Sequence, residues 1–188
     1  MIQEFDLHTH TINSDGEYTT KQLVQKIKDS NIKTFAISDH DSIQSINDIK
    51  NLDLKGLNYI KAIEISSILD GEYKMHILGY NIDEENEQLL EIINNLKQKR
   101  IKRIYDIKDS LKEQYNVILK DEEIENVIRE HNIPGRVHIA KLLVKNNYTK
   151  TVPEAFEKYL DDIKTTIIAR EDAAKVIKAI KEFYEKTN

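Results

Sequence analysis

The chain is predicted to adopt an α/β fold, a parallel sheet broken by a helical insertion. Three observations lead there. Short apolar runs alternate with amphipathic segments up to Ile49, which is the order of a parallel α/β sheet. Each apolar run carries a histidine or carboxylate at or near its end. After Asn81 the pattern turns long, charged and helical.

The first strand is expected from Ile2 to Leu7. Thr19 or Thr20 is a candidate cap for a helix running to Ser30, with Leu23, Val24 and Ile27 at helical spacing. "TFAISDHD", Thr34 to Asp41, reads as the second strand, and a helix follows over Ser42 to Leu52. "NYIKAIEISS" and "EYKMHILGYNI" supply strands three and four, joined by a turn at Asp70-Gly71. Glu84 to Asn116 is one long helical pattern whose apolar side is marked by Leu89, Ile92, Ile93, Leu96, Ile101, Ile104, Ile107 and Leu111. Shorter helices are expected at Asp121 to Glu130, Arg136 to Asn146 and Val152 to Leu160, and a last one from about Arg170 to Lys186. The resulting organisation is 1–83 for the first part of the α/β domain, 84–160 for the helical insertion and 161–188 for the return segment and final helix.

Composition narrows the chemistry. With 28 Lys and Arg against 33 Asp and Glu, the net charge of −5 gives no general attraction to duplex DNA or an anionic membrane, so a phosphate-bearing ligand must be held locally. The absence of cysteine removes disulfides, zinc-thiolate sites and thiol catalysis together. Neither a leader peptide nor a membrane span is visible, and the expected compartment is the cytoplasm.

His8 and His10 stand two apart, so on a strand both imidazoles face one way and chelate one point. Asp15 follows in "SDG", where Gly16 permits a tight turn back towards them. Strand two delivers His40 inside "SDHD", strand three Glu64 and strand four His76. Taken singly, His76 reads as a packed histidine and Asp15 as an ordinary turn former. Taken together, the ordered set exceeds what one tetrahedral ion uses, and imidazoles with carboxylates suit Zn, Mn or Fe(II). More than one divalent ion is expected, which is the arrangement that activates water against a phosphate ester.

"DLHTHTINSDGEYT", "AISDHDS", "AIEIS" and "HILGYNID" resemble the successive amino-terminal motifs of the PHP family, the polymerase and histidinol phosphatase superfamily of metal-dependent phosphoesterases. "IPGRVHIAKLLVKNNYTKTVPEAFEKYL" is similar to the insertion of its tryptophan-operon-linked branch, which includes nucleoside 3',5'-bisphosphate phosphatases and enzymes that trim short RNA from the 5' end. The resemblance covers about residues 2 to 160. It implies a partial or distorted (β/α)7 barrel with up to three metal ions at the strand ends. His8, His10 and Glu64 are then the ligands of one ion, Asp15 and His40 of a second, and Glu64 with His76 of a third. Asp39 and Asp41 become outer groups that orient imidazoles. Arg136 and His138 match positions that in the family lean over the site and could hold substrate phosphate; as residues alone they equally read as a helix start with exposed polar groups.

The family pattern continues with a strand carrying an Ala-His-Pro ligand motif and a later loop with Asp and His; neither occurs before Asn188. The α/β part left after the insertion suffices for about half a barrel of this kind. A chain cut short, a natural short form that completes its sheet by self-association as a homodimer, and a degenerate relative all fit, the first being preferred. The expected function is phosphoesterase hydrolysis of a nucleotide or short RNA by a metal-bound hydroxide, weakened where ligands are missing. The alternatives are a catalytically weak metal- or nucleotide-binding module acting through self-association, and a structural helical scaffold, which leaves the histidine and carboxylate pattern unexplained.

Overall fold

The computed structural model describes residues 4–165 and 167–186; Ile2 and Gln3, expected in the first strand, lie outside the described residues. The apolar run after Glu4 becomes β1 (Phe5–Thr9). The helix cap falls on Thr19, whose hydroxyl accepts the Gln22 backbone N–H while the Gln22 side-chain Oε1 accepts the Thr19 N–H, and this reciprocal pair opens α1 (Thr20–Asp29). β2 (Thr34–Ile37) and α2 (Gln44–Ile49) follow. α2 is shorter than Ser42 to Leu52 because the Ser42 hydroxyl takes the Gln44 N–H and holds the preceding residues outside the helix.

β3 (Asn58–Leu69) and β4 (Tyr73–Tyr80) form the expected hairpin. Asp70 and Gly71 have φ of 53° and 69°, the left-handed conformation that lets a tight turn match the twist of its strands. α3 (Glu87–Tyr115) ends on Asn116 in the same left-handed region. α4 (Asp121–Glu130), α5 (Arg136–Lys145) and the single turn α6 (Val152–Ala155), with Pro153 in its first turn, come next. A π-helical turn spans Phe156–Leu160. The last helix starts later than Arg170: Glu171–Asp172 is the short strand β5, and α7 covers Ala173–Lys186.

β1, β2 and β3 are parallel, and β4 is antiparallel to β3. β5 runs parallel to β3 at Ser67 and Ile68, on the edge of β3 opposite β4. Among the described residues the sheet is open, with β1 and β4 at its edges. β1 holds one extra residue against β2, since Asp6 faces Phe35 but Thr9 faces Ile37.

The chain divides into two compact units, Met1–Leu96 with Arg170–Asn188, and Lys97–Ala169. The sequence borders at 83/84 and 160/161 mark changes of pattern. The packing border lies inside α3, because Leu89, Ile92 and Leu96 join Ile63, Ile65, Val176 and Ala179 in a core of the first unit. On the other side of β2, Phe35 and Ile37 pack with Val24, Ile27 and Ile49. In the second unit Ile104, Ile107 and Leu111 of α3 pack with Ile124, Ile139, Leu143 and Leu160. Each of these fully buried aliphatic side chains contributes about 1.5–3 kcal/mol, and the two cores fix the strands that carry the polar groups. No described helix is long and apolar enough to cross a membrane, the 29-residue α3 included.

Candidate metal centre

Glu64 is the hub. It sits near the middle of β3, with Leu78 opposite it on β4 and His40 bridged to it on the other edge. Both of its backbone groups bond to the His40 segment: Glu64 N–H donates to Asp39 O at 3.2 Å, and Asp41 N–H donates to Glu64 O at 2.8 Å. Asp41 has φ of 50°, a left-handed turn that Asp tolerates, and its carboxylate accepts the Ser66 N–H at 2.7 Å. The segment after β2 is thereby locked beside β3 with His40 facing inward.

Four imidazoles surround the Glu64 carboxylate. His8 Nε2 lies 2.7 Å, His10 Nε2 3.3 Å and His40 Nδ1 3.7 Å from Oε2, while His76 Nδ1 lies 2.7 Å from Oε1. Asp15 closes the far side, 3.6 Å from His10 Nδ1 and 3.5 Å from His40 Nε2. Three overlapping groups result: His8, His10 and Glu64; His10, Asp15 and His40; His40, Glu64 and His76. The six residues singled out from the sequence therefore stand together, and His10 and His40 each take part in two groups.

The donor set fits divalent ions. Ligand atoms of one tetrahedral ion stand about 3.4 Å apart at ordinary bond lengths, close to most of these separations. His40 Nδ1 is buried without a hydrogen-bond partner, an arrangement that normally costs about 1–3 kcal/mol and that a cation would relieve. Burial pushes the His40 imidazole below its ordinary value, against the pull of Glu64 and Asp15 and with help from His10 and His76. For Glu64, burial works to raise the carboxyl, but hydrogen bonds from His8 and His76 and the potential of His40 and His76 hold it low. An ionised carboxylate beside a neutral imidazole is the protonation state a metal ligand needs.

Asp39 does something other than orient rings. It is 1% exposed, and its carboxylate accepts from Thr11 N–H, Thr11 Oγ1 and Ser14 Oγ, each at 2.7 Å, and from Ser45 Oγ. None of those bonds goes to an imidazole. Asp39 acts one step away: it pins the loop that carries Asp15, and Ser14 Oγ in turn lies 3.5 Å from His10 Nδ1. Gly16 serves the same loop through space rather than backbone freedom. A Cβ there would stand 2.4 Å from His10 O and 2.8 Å from Thr11 N.

Arg136 and His138 belong to the second unit. Arg136 Nη1 donates to Leu160 O at 3.3 Å, stands 3.5 Å from Asp161, and its guanidinium lies over the Phe156 ring. His138 is buried, accepts the Gly135 N–H on Nδ1 at 3.0 Å and stacks on His131 with ring centres 3.8 Å apart. Burial, with the neighbouring His131 and Lys141, pushes the His138 imidazole down to about 4.

Two further groups lie beside the centre. Tyr80 at the end of β4 donates to Leu7 O at 3.0 Å and ties β4 to β1 across the sheet. Arg170, just before β5, places Nη1 on Ser67 O and Met75 O and Nη2 3.5 Å from His76 Nε2. Arg170 stands 94 positions from the histidine it touches, so no spacing in the sequence ties the two together.

Histidine and carboxylate groups gathered from all four long strands and the loops after them on one α/β sheet define a class, and the comparison with family models names it. The PHP domain model matches residues 6–178, and the chain belongs to that family. It is similar to a 5'-3' exoribonuclease of Haemophilus influenzae, 27% identical over 179 residues, covering 91% of this chain and 61% of that protein. The 5'-3' exoribonuclease Rnm of Escherichia coli is 31% identical, with 86% and 55% covered. A 3',5'-nucleoside bisphosphate phosphatase of Chromobacterium violaceum is 24% identical, with 85% and 55% covered. The chain thus spans little more than half the length of these relatives. Among solved structures, a Bifidobacterium adolescentis protein assigned to the metal-dependent phosphoesterases superposes with a TM-score of 0.81 at 25% identity, over 96% of this chain and 64% of that one. A Chromobacterium violaceum protein described as an amidohydrolase, solved with bound sulfate and no metal, shares the fold with a TM-score of 0.79 at 21% identity.

Proposed function

We propose that this chain is a metal-dependent phosphoesterase acting on phosphate esters of nucleotides or short RNA. The observation that carries the reading is the convergence of four imidazoles on one buried carboxylate, with His40 Nδ1 left without a partner. His8, His10, Asp15, His40, Glu64 and His76 are the proposed ligands of up to three ions, Mn, Zn or Fe. Bound there, such ions supply Lewis acidity that lowers the pKa of water and neutralises phosphate charge. The chain's own part is to present neutral imidazoles and ionised carboxylates without reorganisation: Glu64 is 5% exposed with both backbone groups bonded to the His40 segment, and Asp39 fixes the Asp15 loop. Arg136 and His138 are proposed to contact a phosphate of the substrate. The substrate class draws support from the relatives, whose names specify RNA and nucleoside bisphosphate.

The test is phosphate release from a nucleoside 3',5'-bisphosphate, and mononucleotide release from a 5'-phosphorylated RNA trimer, by protein reconstituted with Mn2+. His10→Ala and Glu64→Ala are expected to abolish both. Turnover indifferent to either substitution refutes the reading. A second reading, a weakly catalytic module that works by self-association, is favoured by one observation: β1 and β4 are open edges among the described residues, and Phe5 on β1 is 57% exposed. Light scattering on the metal-loaded protein separates the two, since a turning-over monomer contradicts the second.

A further inference from the structure

Arg170 stands at the edge of the third ligand group, His40, Glu64 and His76. Its guanidinium is fixed, because Nη1 donates to Ser67 O at 3.1 Å and Met75 O at 2.7 Å, the carbonyls of two residues that face one another across β3 and β4. With Nη1 held there, Nη2 is placed 3.5 Å from His76 Nε2, and the other ring nitrogen of His76 meets Glu64 Oε1. A histidine that ligates a metal through one nitrogen ordinarily gives the N–H on its other nitrogen to a carboxylate, carbonyl or water. Here the other nitrogen faces a donor that never loses its charge. The same group shares its only carboxylate, Glu64, with His8 and His10, whereas Asp15 serves His10 and His40 alone.

We propose that Arg170 grades the affinity of the centre, making the His40–Glu64–His76 group its weakest cation site, so that activity follows the free metal concentration over the range in which this last site fills. The inference rests on the metal-dependent reading of the same residues. It adds that the three groups are unequal and that the inequality is set from outside the ligand set, by the residue at which the chain re-enters the first unit. Both charge and tautomer act in one direction: a fixed cation repels a second cation, and an Nε2 that accepts from Arg170 leaves its proton on Nδ1, the atom that faces Glu64.

The test is calorimetric titration of the full chain with Mn2+ after removal of metal, with circular dichroism of each variant as the check on folding. The wild type is expected to show a final step at least about tenfold weaker than those before it. Arg170→Gln, which removes the charge, is expected to tighten that step about tenfold or more and leave the earlier ones in place. Arg170→Lys keeps the charge and is expected to preserve the wild-type order. His76→Gln is expected to delete the weak step alone, and it decides the matter where Arg170→Gln does not fold. Equal steps in the wild type, a weak step that Arg170→Gln leaves unchanged or weakens further, or loss of a tight step in His76→Gln each overturn the inference while leaving the phosphoesterase reading intact. No uptake of Mn2+ at all sinks both.

Discussion

Replacing Asp39 tests how the Asp15 loop is held. Its carboxylate takes four hydrogen bonds in a fully buried setting, one from the Thr11 N–H and three from hydroxyls. Hydrogen bonds to a charged acceptor contribute about 1.5–3 kcal/mol each, but hydroxyls re-aim: Thr11 Oγ1 and Ser45 Oγ already lie 3.0 Å apart and can bond each other. The Thr11 N–H has no such escape, and relief from burying the carboxylate offsets part of the loss. Asp39→Ala is therefore expected to cost about 3–5 kcal/mol. Asp39→Asn keeps an oxygen for the Thr11 N–H and Ser14, and its NH2 finds acceptors in the Thr11 and Ser45 hydroxyls, so it should cost only about 1 kcal/mol. Urea unfolding of metal-free protein, followed by circular dichroism, reads both. An Ala variant within about 1 kcal/mol of wild type, or an Asn variant as damaged as the Ala one, refutes this account of the network.

Glu64→Gln removes the carboxylate shared by two of the three ligand groups, and metal analysis of the reconstituted variant should show at least one ion fewer than wild type; full occupancy contradicts the hub role. Gly16→Ala drives a methyl group into the His10 carbonyl, so the loop must shift, and calorimetry should show weaker metal binding together with a loss of about 1–3 kcal/mol of stability. The His138 imidazole is held near 4 in the fold against about 6.5 in an unfolded chain. Because the unfolded state binds that proton more tightly, its contribution is intact above pH 6.5 and lost as pH falls towards 4. Replacing it by Gln should flatten the stability profile between those values, and an unchanged slope counts against a buried neutral ring.

The ligand set is legible because strands have a strict period of two, which puts His8 with His10, and because each apolar run carries one such polar group. His10 and His40 follow the ends of β1 and β2, whereas Glu64 and His76 lie inside β3 and β4. Asp39 also follows β2 and reads as a group that orients imidazoles, yet it bonds Thr11, Ser14 and Ser45. Hydroxyl residues in a loop and on a helix carry no spacing that announces a shared acceptor. Arg170 was invisible for another reason: its partners lie on β3 and β4, and only the return of the chain beside β3 at Ser67 brings it to His76. The reading of Arg170 as a helix start follows from the same gap, since a two-residue strand takes its identity from its neighbour.

The single surplus residue in β1 has a reach beyond its size. Phe35 and Ile37 point into the apolar layer beneath α1 and α2, and strict pairing carried on from Asp6 would set His8 level with Ile37; the bulge puts Thr9 there instead. Whether this surface can meet a cation at all is a question of odd or even counting in the first nine positions of the chain.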